Sequence, residues 1–394
     1  MNMLNLTVKV DVSTVVGINF CGFFLEKINK GIWGKGMNKT LKRIRNIFDR
    51  NNPNIVAIII ILMILAVATI VLAVGLGPVK VSPANVANII LSQVPFLSGS
   101  IPHTWTDLDY NIVWGLRLPR VLLGMIVGAS LAVVGVTMQA LVRNHLADPF
   151  ILGVSSGAAA TATLGMLFGV FAILGEYSLS ISAFLGAGLT IIFVYTISRV
   201  NGRINITQLL LSGVAISMIM DAITQIIILS APNALGLHNA SFWMSGSLAG
   251  AKWGYLSLPL VVMLLCLAVL LINYRSLNVL LLGEEAAGSL GINVKSTQKM
   301  LILVASLMSG VTIAVSGAIG FVGLMVPHIT RLLIGSNHKN VLPVSALLGG
   351  ILVVWVDVAA RMVIAPEELP VGILTALFGG PLFIWLLKRN TKEV

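Results

Sequence analysis

Charge is what this sequence has least of. Only 10% of its 394 residues are Asp, Glu, Lys or Arg, against about 25% in an ordinary soluble domain, too few to cover a water-facing surface. Cysteine is nearly absent as well. Cys21 falls in a basic N-terminal stretch and Cys266 inside an apolar run, placements that do not suggest a disulfide. No GxxxxGK[ST] loop is present to cradle nucleotide phosphates and no HExxH pair to hold a zinc ion. His103, His145, His238, His328 and His338 are scattered without ligand spacing. The expectation is therefore a chain with no metal, no cofactor and no catalytic site of its own. No segment between its apolar runs is long enough for a soluble catalytic domain, so any work it does must draw on a partner or an ion gradient.

What fills the chain instead is hydrophobic. Apolar residues make up 57% of it and the mean hydropathy is +0.99. Uncharged runs recur, and ~20 helical residues cross a ~30 Å hydrocarbon core. The fold class predicted is an all-α polytopic membrane protein of about ten transmembrane helices, near 55–75, 118–142, 149–171, 180–198, 206–230, 253–273, 299–316, 320–335, 341–364 and 371–387. The seventh and eighth are divided by Gly317, Gly320 and Gly323, which fits either a tight turn or a kink. The pairs Gly124/Gly128, Gly153/Gly157 and Gly165/Gly169 suit close helix packing, with the second span at the centre.

The net charge of +11 points to topology and the lipid bilayer, with no nucleic acid partner implied. With the N-terminus inside, Arg143, Arg199, Arg203, Arg275, Lys295, Lys299, Arg331, Lys339, Lys388, Arg389 and Lys392 all fall on the inner side. Only Lys80, Arg117, Arg120, Lys252 and Arg361 fall outside. That bias predicts a multi-pass protein of the cell membrane with both termini cytoplasmic. Residues 1–54 read as a basic cytoplasmic tail without a signal-peptide cleavage pattern, and Met37 offers a natural start that would make 1–36 dispensable. Residues 55–390 form the transmembrane domain.

Four places carry more than hydropathy. Arg117 and Arg120 flank the start of the second span, where the helix dipole disfavours cations; Arg361 lies at the same outer side, with Asp357 one turn earlier as a local partner. These three arginines either pair internally or snorkel, or they await an acidic partner. The segment 276–296, SLNVLLLGEEAAGSLGINVKS, is too charged to span and reads as two short helices on the inner face, broken at Gly283 and closed at Gly291. The inner turns at Asn144–Leu146 and Ile206–Thr207 read as helix caps. Gln139, Gln208, Asp221, Gln225 and Asp357 lie in apolar surroundings, where polar groups face a cavity or a partner.

The motifs RLPR at 117–120, GASLAVVGVTMQALVRNHLADPFILGVSSGAA at 128–159, LNVLLLGEEAAGSLGI at 277–292, GAIGFVGLMVPHITRLLIG at 317–335, DVAAR at 357–361 and ELPVGILTALFGGPLFIWLL at 368–387 together resemble the FecCD-like permease subunits of type II ABC importers. Those take up iron–siderophore, haem and cobalamin, and the resemblance covers roughly 55–390. It implies a permease that translocates an iron chelate, most readily an iron(III)-siderophore, with haem or cobalamin as the alternative cargo. The implied partners are cytoplasmic ATPase subunits, an extracytoplasmic substrate-binding protein, and a second permease subunit, either a copy or a paralogue. By the same resemblance Arg117, Arg120 and Arg361 would meet carboxylates of the binding protein. Leu277, Gly283, Glu284, Glu285, Ala286, Gly288, Leu290 and Gly291 would form the coupling helices, with both glutamates facing basic or polar groups of the ATPase. Asn144, His145, Leu146, Ile206 and Thr207 would lie at the cytoplasmic gate. One departure stands out: the family's Asn-Pro-Leu-Ala-Asp-Pro is Asn144-His145-Leu146-Ala147-Asp148-Pro149 here. An ion-coupled secondary transporter is the rival reading. It would use Asp221 but leaves 277–292 without a role.

Overall fold

The computed structural model describes residues 55–79, 81–93, 102–200 and 203–390. The expected tail at 1–54 and its dispensable part lie outside the described residues. Among these, seven helices are long and apolar enough to cross a membrane and three shorter ones are apolar, which together match the ten expected spans.

The helices run in chain order: α1 Ile55–Gly75, α2 Pro83–Ser92, α3 Asp107–Val142, α4 Val154–Phe168, α5 Ser178–Ile197, α6 Ile206–Leu229, α7 Ala234–Met244, α8 Ser257–Ile272, α9 Tyr274–Leu280, α10 Glu284–Ser289, α11 Val294–Ser316, α12 Val322–Ile334, α13 His338–Met362 and α14 Val371–Asn390. A short antiparallel ribbon, Arg199–Val200 with Arg203–Ile204, joins α5 to α6. The doubtful break between the seventh and eighth spans is a turn between separate helices, with Gly317 and Phe321 both at positive φ.

Helix α3 is the axis of the fold. It packs against α13, α11, α12, α1 and α8 and is buried along nearly its whole apolar length, from Leu118 to Leu141. Two glycines let neighbouring backbones come that close. A Cβ on Gly128 would collide with the Gly349 carbonyl of α13, and one on Gly135 with the Gly323 carbonyl of α12. Without a strong hydrophobic drive between helices in lipid, such close packing is what holds them together.

The start of α3 differs from the sequence expectation of residue 118. Thr106 and Asp109 form a reciprocal cap, Thr106 Oγ1 accepting from Asp109 N at 3.1 Å and Asp109 Oδ2 accepting from Thr106 N at 3.3 Å. The helix then runs through a wide π segment, Asn111–Arg117, before Pro119. In that segment Leu118 N reaches back to Val113 O, so Trp114 O loses its usual helical donor. The Trp253 indole N–H supplies one at 3.0 Å, with the two indoles 4.7 Å apart.

Proline also explains a buried amide. Pro327 inside α12 has no N–H for the Gly323 carbonyl one turn earlier. Gln139 Nε2 of α3 donates to that carbonyl at 3.3 Å, while Gln139 Oε1 accepts from Arg331 Nη1. The polar residue that looked misplaced in an apolar helix repairs its neighbour's broken ladder.

Candidate functional site

Both ends of this helix body carry polar constellations, and they are built differently. At the expected outer end, Arg117, Arg120, Asp357 and Arg361 are only 7%, 8%, 1% and 3% exposed. Arg120 reaches Asp357 Oδ1 through Nη2 at 2.8 Å and Nε at 2.9 Å, and Glu368 through Nη1 at 2.8 and 3.0 Å. Arg361 Nε lies 3.1 Å from Asp357 Oδ2, and its Nη1 and Nη2 donate to Leu76 O at 3.3 Å and Ala73 O at 3.2 Å. Arg117 Nη1 donates to Val74 O at 3.0 Å and Gly75 O at 3.2 Å, and its Nη2 donates to Val79 O.

All three arginines are thus held by partners within the chain. Arg117 and Arg361 cap the last carbonyls of α1, where a helix dipole favours cations. Arg120 clamps α3 to α13 and to the segment before α14. The helix-dipole puzzle also dissolves, since both arginines of α3 lie far inside that helix.

The expected inner end is looser. Leu277, Leu280 and Ala287 anchor α9 and α10 in the core, while Leu281, Leu282, Glu285, Gly288, Ser289 and Leu290 are exposed; Ala286 is half-buried. Gly283 at φ 104° and Gly291 at φ 84° make the joints that bend this segment, conformations that residues with a Cβ rarely adopt. Glu284 is exposed and already has partners within the chain. Its Oε1 is 3.3 Å from Arg143 Nη2 of α3 and accepts from Gln298 Nε2 at 3.1 Å. Glu285 is exposed and has no hydrogen bond or ion pair among the described residues.

A connection that the motifs did not reveal ties this segment to α13. Asn278 Oδ1 of α9 accepts from His338 N at 2.9 Å and from His338 Nδ1 at 2.7 Å, and Asn278 Nδ2 donates to Asn337 Oδ1 at 3.0 Å. Its hint in the sequence was an Asn inside an apolar stretch and an Asn-His pair opening a span.

The turn at 144–147 keeps its form without the family's proline. Ala147 N donates to Asn144 O at 3.1 Å and Leu146 N to Asn144 Oδ1 at 2.9 Å. His145 takes the second turn position, where proline is favoured but most residues fit. Partial desolvation, then the Arg331 and His328 charges, push His145 below the ordinary histidine range. Asn205 caps α6 by accepting from Gln208 N at 3.1 Å, so Ile206 and Thr207 form its first turn, with Thr207 exposed. The short 3-10 turn Pro149–Leu152 packs on α6, where Gly213 meets Ile151 O.

Helix α6 departs from the expectation of buried polar residues. Gln208, Asp221 and Gln225 are exposed, and Asp221 has no hydrogen bond or ion pair among the described residues. A charged side chain at the centre of a membrane helix costs about 2.5–3.5 kcal/mol, so lipid is the wrong environment for it.

Comparison with known proteins agrees with this architecture. The family model of the FecCD transport family matches residues 59–389. The cobalamin import system permease BtuC of Halobacterium salinarum is 37% identical over 353 residues, covering 82% of this chain and 94% of that protein. The hemin transport system permease HmuU of Yersinia pestis is 40% identical over 303 residues, covering 75% and 90% respectively. A solved transporter described as of the metal-chelate ABC type, in an inward-facing conformation, superposes with a TM-score of 0.73 at 32% identity over 84% of this chain and 99% of its own.

Proposed function

Because the chain belongs to the FecCD transport family and is thus a multi-pass membrane permease of an ABC importer for iron chelate, haem or cobalamin, we propose that its cargo is an iron(III)-siderophore. It acts with a second permease subunit, two cytoplasmic ATPases below and an extracytoplasmic binding protein above. Both of its termini face the cytoplasm.

The observation that carries this reading is the jointed pair α9 and α10. An otherwise apolar body presents, at the end richest in Lys and Arg, two short helices with buried anchors and an exposed outer surface around Leu281, Leu282, Glu285 and Leu290. That surface suits a groove on an ATPase, and ATP binding there rocks the permease subunits. The turns at Asn144–Leu146 and Ile206–Thr207 form the inner gate, and the exposed polar face of α6 lines the path against the second subunit.

The test is coupling. Gly291→Pro, which removes a φ of 84° that proline cannot adopt, abolishes binding-protein-stimulated ATP hydrolysis in the reconstituted complex while membrane insertion persists. Normal stimulation would refute the coupling role. A cysteine at position 285 is silent to an impermeant external reagent in intact cells; reaction there would refute the orientation. Asp221 on α6 is the one observation favouring an ion-coupled transporter, and uptake surviving an ATPase subunit unable to hydrolyse ATP would establish that reading instead.

A further inference from the structure

The polar residues of α6 are not spread evenly around it. At about 100° per residue, Thr207, Val214, Met218, Asp221 and Gln225 fall within roughly 60° of arc, and all of them are exposed. The adjoining exposed arc holds Leu211, Ala215, Ile219, Ala222, Ile226 and Leu229, with Gln208 the lone polar member near the helix start. One exposed face of a single helix is thus divided lengthwise into a polar strip and a lipid-compatible strip. Asp221 lies about 22 Å along the axis from Ile206 and about 12 Å from Leu229, well inside the hydrocarbon depth. Leu209 and Ser212, on the far side of the helix from Asp221, are buried against the rest of the chain, so the helix cannot turn Asp221 inward without exposing its packed side.

We propose that Asp221 is a charge filter on the translocation path, admitting cargo of zero or positive net charge and opposing anionic chelates. This rests on the importer reading, in which the polar strip of α6 faces the path between two permease subunits. In a pair of identical subunits the path carries two such carboxylates. A carboxylate in a narrow low-dielectric passage raises the local concentration of cations and lowers that of anions. Gln225, one turn further on, and Thr207 near the inner end add neutral hydrogen-bonding groups along the same strip. The cargo class that follows is a neutral or cationic metal chelate rich in hydrogen-bond donors.

The test uses the full permease with its ATPase and binding protein in proteoliposomes, in a Cys21→Ser, Cys266→Ala background. Met218, 69% exposed and one turn before Asp221, is replaced as Met218→Cys and probed with small cationic and anionic methanethiosulfonates. Rates are normalised to a free thiol in solution. The expected result is a severalfold preference for the cationic reagent that falls to the solution ratio in Met218→Cys with Asp221→Asn. No modification by either charged reagent, or a preference indifferent to Asp221→Asn, would overturn the filter. ATP-driven uptake by the unmodified complex is measured in the same vesicles. If uptake is ATP-dependent but the thiol data are negative, only the filter fails; if uptake ignores ATP, the importer reading fails. Efficient uptake of a chelate of net negative charge by the chain with Asp221 intact would also overturn the proposal.

Discussion

Two arginines, one toward each end of the helix body, do opposite things. At the outer end Arg120 is buried, makes two-pronged contact with Asp357 and Glu368, and shares Asp357 with Arg361. At the inner end Arg143 meets Glu284 at 3.3 Å with both side chains substantially exposed, at 36% and 43%. A buried pair has no water to fall back on, so losing one partner strands the other. An exposed pair exchanges easily with solvent and contributes little. The outer cluster therefore fixes how α1, α3 and α13 stand to one another. The inner contact holds the α9–α10 segment only lightly.

The sharpest way to break this contrast is to remove a carboxylate from each end. Asp357→Ala leaves Arg120 and Arg361 without their shared acid and should cost about 3–5 kcal/mol, read as a collapse of folded yield or thermal midpoint in detergent. An unchanged midpoint would mean the outer cluster is no rivet. Gly135→Leu comes next, forcing α3 from the α12 backbone at a cost of about 1–3 kcal/mol or more; the same assay checks it.

Asn278→Ala should cost about 1–3 kcal/mol by leaving buried donors of His338 unpaired, and the effect should be local. Hydrogen exchange across 274–283 accelerates while that of α3 stays slow; uniform acceleration would contradict a local tether. Glu284→Gln, the inner counterpart of the Asp357 change, should shift global stability by only ~0.2–1 kcal/mol. A loss rivalling that of Asp357→Ala would erase the distinction between the two ends.

The smallest effect concerns pH. The folded-state pKa of His145 lies below its unfolded value of about 6.5, so between the two the unfolded chain binds more protons. Its contribution is then present above about 6.5 and lost as pH falls toward the folded value. Thermal midpoints measured from pH 7.5 to 5 should decline more steeply in the native chain than in His145→Gln. Identical slopes would show that His145 does not sense Arg331 and His328.

Hydropathy made the ten spans legible, because an uncharged run of about 20 residues has few other uses. Gly128 was readable as a packing glycine, and Gly283 and Gly291 as joints. What hydropathy misread was the start of α3, since Asp107, Asp109 and Asn111 are polar and Pro119 resembles a first-turn proline. That error put Arg117 and Arg120 at a helix end. Their partners within the chain are carbonyls of α1 and acids more than 200 positions away, and contacts at that sequence distance leave no local pattern. Gln139 and Asn278 were hidden for the same reason: each serves a backbone group on another helix.

The wide turn at Asn111–Arg117 can be regarded as an insertion that the helix has swallowed. A π segment holds one residue more than the α-helix it interrupts, and the surplus sits where Gly115 has no heavy atom within 4 Å of a would-be Cβ. Deleting Gly115 would therefore let the segment heal into regular α-helix while Leu118–Val142 kept its phase against α13. The shortened chain would still leave the Trp114 carbonyl without a helical donor, because Pro119 would then stand four residues on and has no N–H. Length at this position is thus a tunable property of the outer end, separable from the packing of the helix below it.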